Sequence, residues 1–217
     1  MDYFTSDLHL QHKFVLEHRG FSSFEEMHDR LFSMFDAVKK GDRVFILGDV
    51  AFTPYAAKEL FDFLIMKKKV SALYIIEGNH DSQWLSKVEP HPRLHICQTM
   101  LLKGQKNGYA PIFLSHYPHM IFNKSHYGAY QLHGHGHFDT TDRPMLDALV
   151  MGKRINVNCE LHDYKLWSRD EIEEEMGKLP PNIDQVLCCG TDEQKQKVIK
   201  MLGKINNTLK ELYEQEI

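Results

Sequence analysis

No stretch of this 217-residue chain approaches the roughly 18 consecutive apolar residues that a membrane-spanning helix needs, so no membrane association is expected. The opening residues Met1, Asp2, Tyr3 and Phe4 lack the basic stretch and apolar run of a secretory leader. Cysteine is scarce. Cys97, Cys159, Cys188 and Cys189 have neither disulfide-framework nor zinc-site spacing, so reduced thiols and a cytoplasmic location are expected. A surplus of positive charge is missing too: the net charge is −4, which argues against a nucleic-acid partner. Lys67, Lys68 and Lys69 form the one dense basic run, placed where a helix should end and where cations favour the helix dipole. Neither internal repeats nor low-complexity segments occur. Hydrophobic residues at 42% and charged residues at 26% fit a globular chain that buries a core in one domain, with room for a small appendage. Histidine is in excess, with 14 residues, and its positions give the reason.

Hydrophobic periodicity predicts strands over 3–5, 43–47 and 73–76, separated by helices over 24–40 and 54–66. Ser22 or Ser23 with Glu25 or Glu26 can form a capping box for the first helix, and Gly41 ends it. Strand, helix, strand, helix, strand implies parallel crossover units. Beyond residue 80 the style changes. Segments 95–103 and 109–114 read as two strands joined by a turn around Asn107-Gly108, and strands near 129–132 and 154–157 follow without long helices between them. The second half is therefore expected to be more antiparallel. Ser168 with Glu171 caps a helix near 169–176, Leu179-Pro180-Pro181 breaks the chain, and Thr191 with Gln194 caps a last helix to about residue 213.

The chemistry-bearing residues gather at strand ends. Asp7 and His9 follow the first strand two residues apart, and in an extended chain alternate residues share a side and could grip one cation. Asp49 follows the second strand after Gly48, which allows close backbone approach. Gly78-Asn79-His80-Asp81 follows the third, His116 ends another, and His133, His135 and His137 are spaced by glycines after the next. C-terminal strand ends are where open α/β sheets place their sites. Each piece alone has an ordinary explanation: a turn, or a hydrogen-bonded core histidine. Their joint order does not.

That ordered set, Asp-x-His, Gly-Asp, Gly-Asn-His-Asp, His and Gly-His-x-His, resembles the calcineurin-like metallophosphoesterase superfamily over roughly residues 1–165. The run from Phe4 to Lys13, the segment Leu114-Ser115-His116-Tyr117-Pro118, and Arg154-Ile155-Asn156-Val157 before Asp163-Tyr164 resemble its small uncapped bacterial and phage members. Gln11 stands where a glycine is usual, and Asn158-Cys159 where a glycine-rich strand end is usual. The resemblance implies a four-layered α/β/β/α sandwich. The resemblance covers a core of 1–165, and the capped helices beyond it read as a C-terminal helical extension of 166–217, expected to pack on the core or on a partner.

By the same resemblance Asp7, His9 and His137 hold a first metal, Asp49 bridges to a second, and Asn79, His116 and His135 complete its shell. Two divalent ions are implied, with manganese favoured; oxygen and imidazole ligands without thiolate suit manganese, iron, zinc, nickel and cobalt alike. The implied reaction is in-line hydrolysis of a phosphate ester or diester by a metal-bridging hydroxide. His80 would be the catalytic histidine, with Asp81 orienting its ring. His12, Lys13, Tyr117 and His119 are candidates to touch substrate phosphate, Arg143 a weaker one. His133 fits the motif less well than His135 and His137 and is left as a neighbour.

Gly48-Asp49 is not followed by the arginine of protein serine/threonine phosphatases, and His80 stands where the lipid A pyrophosphatase branch has arginine. A small, nucleotide-like phosphodiester is the expected substrate, ahead of a monoester. A nuclease acting on nucleic-acid ends and a non-catalytic scaffold of the same fold are the alternatives. The final helix offers a route to oligomers.

Overall fold

The computed structural model describes residues 1–104, 108–137 and 152–215. Strands β1 (Asp2–Thr5), β2 (Arg43–Ile46) and β3 (Ala72–Ile76) pair in parallel, with Phe4 opposite Phe45 and Phe45 opposite Tyr74. Alternation sends Val44, Ile46, Leu73 and Ile75 to one face, and Phe4, Phe45, Tyr74 and Ile76 to the other. Both faces are covered, as a parallel sheet requires. The rings of Phe4, Phe45 and Tyr74 stack across the strands at 4.9 and 4.7 Å, and His95 continues the row at 4.8 Å. A phenylalanine so buried contributes about 1.5–3 kcal/mol.

Helix α1 (Lys13–His18) follows β1, then α2 (Phe24–Ser33), which tightens into a 3₁₀ turn (Met34–Ala37) before the chain extends at Val38. The helix expected over 24–40 is thus shorter. Ser23 Oγ accepts from Glu26 N, while the Glu26 carboxylate reaches one residue further back, to Ser22. Helix α3 (Pro54–Asp62) starts on a Thr53 cap and widens into a π turn (Phe63–Lys67). Leu31, Phe35, Leu60 and Leu64 from these helices form the core on the outer face of the first sheet.

Two sequence expectations are corrected. The single strand over 95–103 is two strands: β4 (Leu94–Cys97) lies parallel to β3, and β5 (Thr99–Leu102) lies antiparallel to β6 (Ile112–Ser115) in a second sheet. Gln98 carries the chain from one sheet to the other, and an unbroken apolar pattern on either side of it leaves no mark of the crossing. The second sheet is also not antiparallel in style. Its order is β5-β6-β7-β8, and β6, β7 (Tyr130–His133) and β8 (Arg154–Asn156) are all parallel. The connection from β6 to β7 contains a short 3₁₀ turn (Ser125–Tyr127) rather than a long helix, so the usual signal of a parallel crossover is missing. Of the turn expected at Asn107-Gly108, Asn107 lies outside the described residues, and Gly108 has φ +95°.

The first sheet has the order β4-β3-β2-β1-β9, with β9 (Trp167–Ser168) antiparallel at its edge. Ile112, Leu114 and Leu132 of the second sheet meet Phe4, Phe45 and Ile76 of the first, so the two sheets pack face to face with helices flanking them. The helix Arg169–Lys178 starts in a capping box of Ser168 and Glu171, and its Ile172 and Met176 enter this inter-sheet core. A helix not foreseen, Ile183–Cys189, follows the proline break and packs by Ile183 and Val186 against Val198 of the last helix, Asp192–Gln215. No helix among the described residues is long and apolar enough to cross a membrane.

The sheets are joined at one end. Ser6 N donates to Val157 O, Cys159 N to Ser6 O, and Val157 N to His133 O, tying β1 to β8 and β7. The C-terminal ends of β1, β2, β3, β6 and β7 meet there.

Candidate metal centre

The loop after β1 is not the extended segment that alternation assumed. Asp7 and His9 sit at φ +57° and +50°, Asp49 at +53° and His135 at +66°, all left-handed. Non-glycine residues there cost roughly 1–3 kcal/mol each, and such strain gathers at functional sites. It is held by pairing between the loops after β1 and β2: Asp7 N to Gly48 O, His9 N to Asp49 O, Leu10 N to Val50 O. Gln11 is left-handed as well, at φ +61°, which explains why glycine is usual at its position. The glycines that remain are forced. A Cβ on Gly78 would lie 2.3 Å from Asp49 Oδ1, and one on Gly134 2.5 Å from Asp7 Oδ2.

Asp7, His9 and His137 present ligand atoms within 4.8 Å of one another, and so do Asp49, His116 and His135. In the first cluster His9 Nε2 and His137 Nε2 are 3.0 Å apart, with Asp7 Oδ1 at 4.0 and 3.7 Å. Two nitrogens each roughly 2.0–2.1 Å from one ion also lie roughly 3 Å apart. In the second, Asn79 Oδ1 is 3.0 Å from both His116 Nε2 and His135 Nδ1. His116 Nδ1 lies 2.8 Å from Leu47 O and suits the donor role there, which leaves the lone pair on Nε2 facing another acceptor. Asp49 Oδ2 stands between the clusters, 3.6 Å from His9 Nε2 and 3.5 Å from His116 Nε2. Converging lone pairs with one shared carboxylate fit divalent cations, and these residues could hold two.

Burial pushes the Asp7 carboxyl up to about 6, with His116 and the Ser6 hydroxyl pulling against it. Burial also lowers His9 to about 3 against the attraction of Asp49. Asp49 resists burial through the His116 hydrogen bond and the His80 backbone N–H, and falls to about 2. His137 is raised chiefly by its hydrogen bond to Glu160.

Glu160 and Arg19 were not foreseen. Glu160 Oε1 pairs with His137 Nδ1 at 2.9 Å and accepts from Arg19 Nε at 2.7 Å, while Arg19 also donates to the carbonyls of Asp7 and Leu8. His137 and the Asp7 loop are thereby braced from behind. Isolated charged residues carry no motif, so only the pairing in space reveals them. Asn156 Nδ2 and Asn158 Nδ2 both donate to Gly136 O, so the asparagines at the departing strand end pin the peptide between His135 and His137.

The remaining expected residues divide. The Asp81 carboxylate is fully buried and accepts from Asp49 N, Gly78 N, Val50 N and Trp84 Nε1. These are its bonds, and the His80 ring is not among them; the fold turns the carboxylate inward to tie the loops after β2 and β3. Burial raises its pKa against those donors. The His80 ring lies 5.3 Å from His9 and 5.4 Å from His12, and His12 packs on Phe52 at 4.7 Å. Tyr117 Oη approaches Asn79 Oδ1 at 3.4 Å, and His119 lines the same cleft as Asn79 and His116. Lys13 is exposed, its ammonium 4.0 Å from Glu17 on α1, with no bond to either cluster among the described residues. His133 is buried beside Gly134 O, and burial lowers it to about 4. Arg143 lies outside the described residues.

Residues 3–202 match the family model for calcineurin-like phosphoesterases. The chain is 27% identical over 195 aligned positions to the Gene 66 protein of Mycobacterium phage L5, covering 78% of this chain and 91% of that protein. Among solved structures it resembles the protein of unknown function AQ665 from Aquifex aeolicus, with a TM-score of 0.57 at 24% identity, over 81% of this chain and 98% of that one; this likeness speaks to fold. A looser match, TM-score 0.41 and 17% identity over 63% of this chain and 61% of that one, is to Pseudomonas putida nuclease MPE.

Proposed function

Because the chain belongs to the calcineurin-like phosphoesterase family, whose members use divalent metals, we propose that it hydrolyses small, nucleotide-like phosphodiesters at the two clusters. Asp7, His9 and His137 would hold one ion, Asn79, His116 and His135 the other, and Asp49 both. Divalent ions there supply Lewis acidity toward phosphoryl oxygen and lower the pKa of coordinated water.

The chain's own groups do the rest. Asp81 holds the backbone of Asp49, Val50 and Gly78, fixing the shared carboxylate relative to the Asn79 loop. Asp49 Oδ1 accepts from His80 N at 2.9 Å, which sets His80 beside the first cluster. As water oxygen bonds to phosphorus and the ester P–O bond breaks, His80 would donate a proton to the departing oxygen, and the proton released by the water would restore it. His12 and Phe52 form the wall behind that proton.

The observation that carries this reading is Asp49, placed between two separate groups of metal-ligating atoms with a histidine at hand. Manganese-dependent hydrolysis of bis(p-nitrophenyl) phosphate is compared with p-nitrophenyl phosphate, beside chelated protein and His80→Ala. Diester cleavage that exceeds monoester cleavage, stops with chelator and collapses in His80→Ala supports it. Preferred monoester cleavage makes the protein a phosphatase, and metal-loaded protein inert on both esters points to a scaffold.

A further inference from the structure

The cleft beside the second cluster has a polar lining that the hydrolytic chemistry does not use. Glu77 follows β3, its N–H bonded to Cys97 O at 2.9 Å, and Gln98, where the chain crosses between sheets, follows β4. The crossing opens a notch of about 320 Å³ walled by Glu77, Gln98, Thr99, Tyr117 and His119, and floored by Asn79 and His116 of the second cluster. That volume falls in the roughly 300–1,000 Å³ range of small-molecule sites. The side chains of Glu77, Gln98 and Thr99 make no hydrogen bond or ion pair among the described residues, so their polar atoms are free for a ligand.

The lining dictates what fits. A carboxylate is an acceptor only; it repels a second phosphate and requires N–H or O–H donors. Tyr117 and His119 put aromatic rings on the wall, against which a base can pack, and Gln98 can both donate and accept. His80 stands at the first cluster and this notch opens from the second, so a phosphodiester has one arm toward each. Guanine sets two N–H donors side by side, a match for two carboxylate oxygens, whereas adenine and cytosine place one amino group beside a ring acceptor.

We propose that this cleft binds the nucleobase of the ester arm that is retained, and that Glu77 selects guanine. The assignment rests on the phosphodiesterase reading above. Its test is calorimetric binding of guanosine 5′-monophosphate, adenosine 5′-monophosphate and ribose 5-phosphate to manganese-loaded wild type, Glu77→Gln and Gln98→Ala. Wild type should bind the guanosine nucleotide at least about 10-fold more tightly than ribose 5-phosphate, since hydrogen bonds to a charged group are among the stronger ones. Glu77→Gln should erase most of that ratio and Gln98→Ala part of it. Equal binding of the guanosine nucleotide and ribose 5-phosphate by wild type overturns the proposal, as does a preference for adenosine. Should Glu77→Gln lose manganese, Gln98→Ala, across the notch from the Gly78-Asn79 segment, decides alone: an unchanged ratio counts against the cleft. Hydrolysis of bis(p-nitrophenyl) phosphate separates the two ideas. Guanosine preference without hydrolysis removes the phosphodiesterase reading and keeps the cleft; hydrolysis without preference does the reverse.

Discussion

The two clusters are built from the same residue types yet are held differently. The first is braced: Asp7 and His9 are buried, and half-buried His137 leans on Glu160, which leans on Arg19, which grips the Asp7 and Leu8 carbonyls. The second is anchored on one side only. Asp49 and His116 are buried and backed by Asp81 and Leu47 O, but His135 and Asn79 are exposed, with Tyr117 beside them. Outer partners that orient a ligand typically strengthen metal binding about 10–100-fold. The difference is one of support: the first set of candidate ligands is braced from behind, and the second is open on one side.

The shared carboxylate offers the harshest way to break this contrast. Asp49→Ala removes the group common to both clusters, and metal content by atomic spectroscopy should fall from two equivalents toward none, with hydrolysis at background. His80→Ala should leave both equivalents bound and lower kcat about 10²–10⁴-fold, the usual cost of losing a general acid. A sharper probe is Glu160→Gln. It should weaken the tighter equivalent about 10–100-fold and spare the weaker one, as read by competition with a chelating dye. Smaller still is a pH effect on the tighter site. Burial holds the Asp7 carboxyl near 6, the Glu160 bond raises His137 above its ordinary value, and an ion needs both deprotonated, so affinity should keep rising with pH through about 6 and level off only once His137 has lost its proton. Below about 6 it should fall more steeply than about tenfold per pH unit, because Asp7 and His137 then each release a proton on binding.

Much of the first sheet and of the ligand set was legible because both are written locally. Asp7, His9, Asp49, Asn79, His116, His135 and His137 each follow a strand in a short motif, and the strands of the first sheet declare themselves by alternation. What was not legible depended on direction in space. Gln98 sits in an unbroken strand-like run, so nothing local says that the chain changes sheets there. Asp81 is next to His80 in sequence, which invites a ring contact, but the turn after β3 faces it toward the backbone of Asp49 and Val50. Arg19 and Glu160 are 141 positions apart and meet only when β8 closes against β1. The parallel second sheet escaped notice because the β6–β7 connection lacks the long helix that announces such crossovers.

The most direct test is a stepwise manganese titration of metal-stripped protein, with bound metal and bis(p-nitrophenyl) phosphate hydrolysis followed together. The braced first cluster should fill first and silently, and activity should rise only as the second, weaker equivalent binds. Full activity at one equivalent, or two equivalents bound with no hydrolysis at all, would contradict the account.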